Sequence, residues 1–353
     1  MRPRTTKPEV EHLLVRAPNW VGDLVMATPV LEAALADPRF GRVSILVRSH
    51  LLDVLADGPC EDACISIAGR DHERGLYAEL RAGSPAADAA LLLTNSFGAA
   101  WRSFRAGIPI RAGTSLGGRG LLLTHSVVPP ARDGRRVPIP TAHLLRDVAG
   151  LLGIQVPGLR PRLHVSEDVR RRTREILQRV GLEPGEPYVL CAPGAAFGAA
   201  KLWPPAHHAA TLDALFESHG WKGVVTGAPS EDESIRAVVG ACKHPAISLA
   251  EQPRDLASLK ALVEGARLLL VGDSGPRWFA AAYETPCVTV MGPNFPELTA
   301  SSLEWCEVVR MDLECAPCLR RTCPLGHHRC LVDLAPERAI AAAERLLRRK
   351  EAG

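Results

Sequence analysis

Three loops that directly follow predicted strands contain the residues best suited to chemistry. The first spans residues 19–23, where Gly22 lets a ligand approach the backbone and Asp23 lies at the start of a helix. A carboxylate there could take a proton from a substrate hydroxyl as a general base. An aspartate at a helix start is also a common cap, stabilised by the helix dipole. The spacing alone leaves both roles open for Asp23.

The second loop, residues 193–204, begins Pro-Gly and contains mostly small residues, with Lys201 near its end. Small residues at Gly194 and beyond keep the backbone accessible, and a lysine supplies a compact cation, so the loop suits a phosphate group. It is not a Walker loop, because the Gly-Lys-Ser/Thr ending is absent. A plain loop with a solvated lysine is the alternative.

The third loop lies between a strand and a helix and contains Asp273, Ser274 and Gly275. Ser274 and the backbone N–H groups at the helix start favour an anion, while Asp273 could hold a ribose, a sugar hydroxyl or a loop amide. A simple capping box is the alternative. Lys201 and the helix start after Gly275 both suit a diphosphate, which favours a nucleotide-sugar as the donor substrate. Asp23, a carboxylate from the other domain, favours an acceptor substrate that loses a proton.

Four of the ten cysteines crowd into one segment: Cys315, Cys318, Cys323 and Cys330. Their type and closeness suit tetrahedral Zn²⁺, which would be structural because a closed four-thiolate site has no place for substrate. Buried reduced thiols or a local disulfide pair are the alternatives. Cysteine clusters in a reducing compartment favour metals over disulfides, so a structural zinc is a hypothesis for this segment beside those alternatives.

The loops must be positioned by a repeated pattern of short apolar strands and longer helices. Near-continuous apolar strands separated by helices imply a parallel sheet covered on both faces. The pattern restarts near residue 165, after a Pro- and Gly-rich stretch, so we expect two doubly wound α/β domains with ligands at the carboxyl ends of their strands. Strands are predicted at residues 12–17, 42–48, 89–94, 188–192, 223–226, 267–271 and 287–291.

Composition excludes several other classes of protein. The chain has 353 residues and a formal net charge of +3, too small for a nucleic-acid-binding face. It has no apolar stretch of about 18 residues and no signal-peptide pattern, so we expect a cytoplasmic location. Basic residues at positions 1–7 and at Arg348, Arg349 and Lys350 predict solvated ends, with weak attraction to an anionic membrane as the alternative.

The loop motifs occur in an order that resembles a known family. The matching stretches are residues 22–23, 94–97, 107–113, 193–194, 201–204, 272–276, 280–282 and 292–293, with the cysteine cluster behind them. Over residues 12–340 the sequence resembles the ADP-heptose:lipopolysaccharide heptosyltransferases, glycosyltransferase family 9, and most closely the heptosyltransferase II members.

The resemblance implies a GT-B fold of two Rossmann-like domains facing a cleft. Residues 1–165 would bind the acceptor, residues 166–335 the nucleotide-sugar, and the helix in residues 336–353 would cross back to the first domain. It further implies an inverting transfer of heptose from ADP-heptose to the lipopolysaccharide inner core, with no required cofactor and peripheral contact with the inner membrane.

The resemblance also assigns roles to single residues. Asp23 matches the catalytic base and Lys201 matches the residue that neutralises the diphosphate. The donor-binding set is completed by Gly194, Glu231, Asp273, Ser274 and Gly275, with Glu231 placed at the ribose.

One position departs from the family pattern. Trp278 stands where most members have histidine, and an indole nitrogen cannot accept a hydrogen bond. Arg277 beside it could restore a cation near the diphosphate. The departure supports two alternatives: a catalytically silent sugar-nucleotide-binding relative, or a GT-B transferase that uses a different nucleotide-sugar.

Overall fold

The computed structural model of the protein describes residues 10–83, 86–133 and 135–352. The chain forms two compact units that divide between Arg162 and Leu163. The division lies at the end of the Pro- and Gly-rich stretch and close to the boundary expected at residue 165. The basic run at residues 1–7 lies outside the described residues.

The first unit is built on a parallel six-stranded sheet in the order β3-β2-β1-β4-β5-β6. β1 pairs with β2 on one side and β4 on the other, so the strand order reverses at β1. A short antiparallel hairpin, β7 with β8, lies outside this sheet. The strands are β1 (Val10–Arg16), β2 (Phe40–Arg48), β3 (Cys64–Ile67), β4 (Ala89–Leu92), β5 (Ile110–Thr114), β6 (His125–Val127), β7 (Ala131–Arg132) and β8 (Arg135–Arg136).

Helices cover both faces of this sheet, as its apolar strands predict. α1 packs with α5 on one face, and α3 packs with α4 on the other. The core beneath α3 and α4 is formed by alternate strand residues such as Leu14, Leu46 and Leu92. The helices are α1 (Val21–Ala36), α2 (Leu52–Leu55), α3 (Arg70–Ala82), α4 (Phe97–Arg105) and α5 (Thr141–Gly150).

The second unit repeats the plan, with a parallel six-stranded sheet in the order β11-β10-β9-β12-β13-β14. Here β9 pairs with both β10 and β12, so the reversal occurs at β9. The strands are β9 (Tyr188–Ala192), β10 (Lys222–Val225), β11 (Ala246–Ser248), β12 (Leu268–Gly272), β13 (Cys287–Met291) and β14 (Cys306–Arg310).

Two helices of the second unit begin at residues whose side chains cap them. Ser166 accepts a hydrogen bond from the N–H of Val169 and caps α6, and Asp255 caps α9 in the same way through Ser258. The helices are α6 (Glu167–Arg179), α7 (Pro205–His219), α8 (Asp232–Ala241), α9 (Leu256–Gly265), α10 (Pro276–Tyr283), α11 (Arg329–Val332) and α12 (Pro336–Ala352).

The C-terminal helix α12 packs within the second unit. It contacts α7, β13 and β14. Its apolar side chains Ala339, Ala342, Ala343 and Leu346 are completely buried in the core of that unit. Its basic end is engaged locally: Arg349 contacts Glu307, and Lys350 donates to the carbonyl of Glu284. None of the described helices is long and apolar enough to span a bilayer.

Candidate active site

Asp23 lies in the first turn of α1, beside the reversal of strand order in the first unit. The loops after β1 and β4 are neighbours there, and open α/β sheets bind ligands at such switch points. A cavity of about 290 Å³ lies at these loops, lined by residues that include Asn19, Trp20, Asp23, Thr94 and Asn95. The N-cap residue of α1 is Trp20, so Asp23 is not the cap that the simpler interpretation expected. Its carboxylate borders a cavity near a helix start, where the dipole favours negative charge.

A buried arginine network holds the two loops that line this cavity. Asn19 Oδ1 accepts a hydrogen bond from Arg16 at 2.7 Å, and Asn19 Nδ2 donates to Thr94 Oγ1 at 3.0 Å. Arg16 in turn donates to Glu73 of α3 at 2.8 Å, and both side chains are buried. The network therefore ties the loop after β1 to the loop after β4.

Glu73 balances more than one cation. Arg102 of α4 donates to its second carboxylate oxygen at 2.7 Å, and Arg48 lies 3.7 Å from the same oxygen. Burial opposes ionisation of Glu73, but Arg16 and Arg102 outweigh it and hold the pKa of the carboxyl below its usual value. The network was not predicted from the sequence; its signal is Arg16, an arginine that ends β1 directly after three apolar residues.

Arg119 is a second buried cation beside the same cavity. Its guanidinium donates to Thr114 Oγ1 at 2.6 Å, to the carbonyl of Thr114 at 2.7 Å, and to the carbonyl of Thr94. It has no carboxylate partner among the described residues, and burial lowers its pKa to about 10. It remains charged at neutral pH and fixes the polypeptide that lines the cavity.

In the second unit, Lys201 and Asp273 form an ion pair at the switch point. Lys201 follows β9 and Asp273 follows the neighbouring β12, and Nζ lies 2.5 Å from Oδ2. Asn294, after β13, donates to the same carboxylate oxygen at 2.7 Å. Asp273 is therefore not a capping residue: it accepts from two side chains, each from a different loop. Asn294 was missed by sequence analysis.

Gly194 and Glu231 also meet at this end of the sheet. A Cβ atom on Gly194 would lie 2.0 Å from the carboxyl carbon of Glu231, so only glycine leaves room for that side chain. Glu231 follows β10, and its Oε2 accepts a hydrogen bond from the N–H of Ala228 at 2.8 Å. The structure thus gathers Gly194, Lys201, Glu231 and Asp273 after three adjacent strands.

The start of α10 lies next to Asp273. The N-cap residue is Gly275, so no side chain caps this helix, and Ser274 is half-buried beside it. The capping-box alternative is therefore wrong, and the helix start can present N–H groups to an anion. Arg277 does not supply the extra cation expected at the diphosphate: its side chain is buried, donates to the carbonyl of Thr299 at 2.8 Å and lies over the buried Trp278.

Comparison with known proteins places this arrangement in a family. The family described as glycosyltransferase family 9 (heptosyltransferase) matches residues 76–329. The chain belongs to glycosyltransferase family 9.

Among family 9 relatives, lipopolysaccharide heptosyltransferase 2 of Escherichia coli (strain K12) is 26% identical over 361 residues, covering 96% of this chain and 99% of that protein. Lipooligosaccharide heptosyltransferase 2 of Campylobacter jejuni is 32% identical over 161 residues, or 44% of this chain and 50% of that protein. The latter alignment spans about half the length of that relative.

The solved structure of E. coli ADP-heptose lps heptosyltransferase II matches with a TM-score of 0.75 at 26% identity, covering 96% of this chain and 99% of that chain. Together with the two six-stranded parallel sheets, this match confirms the predicted fold class, GT-B with two Rossmann-like domains. The predicted resemblance to heptosyltransferase II is confirmed as well.

The cysteine-rich segment of this family 9 chain packs on the Lys201 loop. The N–H of Ala200 donates to the carbonyl of Arg321 at 3.0 Å, and a Cβ on Gly198 would lie 2.6 Å from that oxygen. Lys201 Nζ lies 4.8 Å from the centre of the Phe197 ring, and Arg321 Cζ lies 5.4 Å from it. Arg321 is thus a second cation beside Lys201, and sequence analysis missed it.

The four cysteines of that segment do not form the predicted zinc site. Cys315, Cys318, Cys323 and Cys330 are free thiols, and the described residues contain no group of three or more His, Cys, Asp or Glu placed to hold a metal. Burial and the neighbouring thiols raise the pKa of Cys330. Close spacing brings the four residues into one segment, but the backbone between them decides where each thiol points.

Proposed function

We propose that this family 9 enzyme transfers a heptose from ADP-heptose to the inner core of lipopolysaccharide, with inversion at the anomeric carbon. The relatives' names support this donor and acceptor. The observation that carries the proposal is the pairing of Lys201 with Asp273 beside the start of α10, a combination of cation and helix N-terminus that suits a diphosphate. The second unit would bind the nucleotide-sugar, and the first unit would bind the acceptor in the cavity bordered by Asp23.

In the proposed reaction, Asp23 takes the proton of the acceptor hydroxyl as the hydroxyl oxygen attacks the anomeric carbon. The bond from that carbon to the diphosphate breaks on the opposite face, which inverts the configuration, and ADP departs with the electron pair. Asp23 suits this role because it borders the cavity of the first unit near the N-terminus of α1.

The departing diphosphate gains negative charge, and cations placed in advance lower the energy of that step. Lys201 is held in place by Asp273 and by the ring of Phe197, and Arg321 stands at the same ring. Ser274 and Gly275 would add hydrogen bonds at the helix start, and Glu231 would hold the ribose beside Gly194. Because side chains and a helix dipole supply the positive charge, we propose that transfer needs no cofactor, which retention of activity in a chelator would support.

We further propose a cytoplasmic location with peripheral contact with the inner face of the inner membrane, where a lipid-anchored acceptor is presented. At the basic C-terminal end, Arg349 and Lys350 have partners within the second unit.

A second candidate function is a catalytically silent nucleotide-sugar binder or a transferase with another donor. Trp278 favours it, because the histidine expected there is replaced by a buried indole. A panel of ADP-, GDP- and UDP-sugars, tested for binding by calorimetry and for transfer, separates these functions. Binding of ADP-heptose without transfer to any heptose-bearing acceptor would support the silent binder.

The central test is Asp23→Asn. We expect ADP-heptose to bind with unchanged affinity while turnover falls by about 10²–10⁴-fold, the usual loss when a general base is removed. Asp71→Asn is the matched control, since Asp71 is an exposed carboxylate on α3 of the same unit. Full activity of Asp23→Asn would refute the assigned role.

A further inference from the structure

Helix α4 presents an aromatic stripe to solvent. Phe97, Trp101 and Phe104 are 52%, 45% and 45% exposed, although large aromatic side chains are usually more buried. Their spacing of four and three residues places them on one side of the helix. Ala99, Ala100 and Ser103 form the buried side, so the helix is anchored to its sheet by small residues.

The stripe continues onto the neighbouring turn. The 3₁₀ turn Arg119–Leu122 packs against α4, and Leu121 in this turn is 96% exposed. Arg119 at its start is buried and bonded to three oxygens, so the turn that projects Leu121 is held firmly. We call Phe97, Trp101, Phe104 and Leu121 the α4 surface. Contiguous exposed apolar groups of this kind mark interaction sites.

The stretch of chain that carries the α4 surface contains more positive charge than its ion pairs compensate. No aspartate or glutamate occurs between Asp88 and Asp133, while that stretch contains five arginines. Only Arg102 among them forms an ion pair within the described residues, with Glu73. Arg111 bonds to backbone carbonyls and lies 5.5 Å from the centre of the Phe104 ring, and Arg105 is exposed on α4 itself.

We propose that the α4 surface binds the face of an anionic phospholipid bilayer. Aromatic and leucine side chains insert at the boundary between headgroups and acyl chains, and nearby arginines are attracted to anionic lipid. Rigid support for Leu121 and the stripe lowers the entropy lost on insertion. This inference deepens the peripheral membrane contact proposed above by assigning it to a surface of the acceptor-binding unit.

Charge also argues for lipid over a second copy of the chain. In a two-fold dimer the α4 surface would meet itself. The uncompensated arginines of the two copies would then lie against each other, and like charges across an interface weaken binding. An anionic bilayer provides both an apolar layer and the opposite charge.

Sedimentation of the full chain with vesicles tests this proposal. We expect binding to vesicles of phosphatidylglycerol and phosphatidylethanolamine, little binding to phosphatidylcholine alone, and weakening at high salt. Trp101→Ser, Phe104→Ser and Leu121→Ser should each lower the partition coefficient about tenfold, given the cost of losing a buried apolar side chain. Leu303→Ser is the control, because Leu303 is an exposed leucine of the second unit, at 40% exposure.

A separate variant tests the contribution of arginine charge to vesicle binding. Arg105→Glu should lower binding to the anionic vesicles by more than about fivefold, since one basic residue near such a surface contributes roughly that factor. Arg179→Glu, an exposed arginine on α6, is the control for overall charge. Circular dichroism of each variant verifies that it is folded.

Two results would overturn the proposal: vesicle binding that the α4 variants leave unchanged, or a concentration-dependent dimer in analytical centrifugation that Trp101→Ser abolishes. Transfer to an acyl-free, water-soluble acceptor is measured in parallel. The α4 variants should retain this activity, so a failure of the proposed transferase function appears as loss in the wild-type chain and cannot be mistaken for a failure of membrane binding.

Discussion

Lys201 and Asp273, which are separated by 72 residues, form an ion pair in which Nζ lies 2.5 Å from Oδ2 and 3.0 Å from the carbonyl oxygen of Asp273. Both side chains are nearly buried. A lysine has many rotamers, and fixing one costs entropy. The carboxylate therefore orients the cation before any ligand arrives, and Asn294 holds the carboxylate in turn.

The first prediction concerns that cation. Lys201→Met should lower the affinity for ADP by about 10–100-fold, because a charge-assisted hydrogen bond contributes roughly 1.5–3 kcal/mol. Adenosine, which has no phosphate, should bind equally well to both proteins. Lys222→Met is the control, since Lys222 pairs with Glu186 at the start of β10. Calorimetry of each variant with ADP and with adenosine, compared with the wild-type chain, measures these affinities. An equal loss of adenosine affinity in Lys201→Met would contradict a role at the diphosphate.

The close approach of Gly194 to Glu231 yields the second prediction. Gly194→Ala should destabilise the protein by about 1–3 kcal/mol or displace Glu231, because the added methyl overlaps the carboxyl group. Gly240→Ala on α8 is the control: a Cβ there meets nothing within 4 Å, and alanine should stabilise that helix by up to about 1 kcal/mol. Urea unfolding measures both. Unchanged stability together with unchanged ADP affinity in Gly194→Ala would contradict the close approach of Gly194 to Glu231.

Glu73 is expected to control acid stability of the first unit. The pKa of Glu73 is lower in the folded protein than in the unfolded chain. Its contribution to the free energy of unfolding is therefore complete above the unfolded pKa of about 4.3 and is lost as pH falls through the folded pKa. Glu73→Gln should remove that part of the fall in the free energy of unfolding at acid pH. It should also lower stability at pH 7 by about 3–5 kcal/mol, because Arg16 remains buried without its counter-ion.

Denaturant unfolding between pH 7 and pH 3 tests the role of Glu73. Glu79→Gln, an exposed glutamate on the same helix, is the control and should leave both that fall at acid pH and the stability unchanged. Parallel stability–pH curves for wild type and Glu73→Gln would show that Glu73 does not titrate as described.

The fourth prediction concerns Arg321, which the cysteine-rich segment places beside Lys201. Arg321→Ala should weaken ADP binding by a smaller factor than Lys201→Met, about threefold to tenfold, because its side chain is exposed and solvent screens its charge. Arg320→Ala removes the neighbouring exposed charge and should have little effect. A double-mutant cycle of Lys201 and Arg321 on ADP affinity measures their coupling. Equal effects of the Arg320 and Arg321 variants would indicate only a general charge effect.

Much of the fold was predictable because local patterns and global structure agree. The apolar runs at residues 188–192 and 287–291 match β9 and β13 as predicted. Short edge strands such as β3, β6 and β11 were missed, since three or four residues with polar neighbours carry little periodic signal. The C-terminal helix expected within residues 336–353 is α12.

The sequence by itself determined which residue types follow the strands: an aspartate after β1, a lysine after β9 and an aspartate after β12. Adjacent parallel strands end at one edge, so Lys201 and Asp273 had to be near each other once the sheet was known. Only the tertiary structure decided that they pair, that Gly194 makes room for Glu231, and that Arg321 joins them. It also decided that Arg277 is buried and that the cysteine-rich segment, within the described residues, forms no group placed to hold a metal. The physical reason is that spacing along a chain fixes which residues share an element, whereas the direction of a side chain depends on packing between elements distant in sequence.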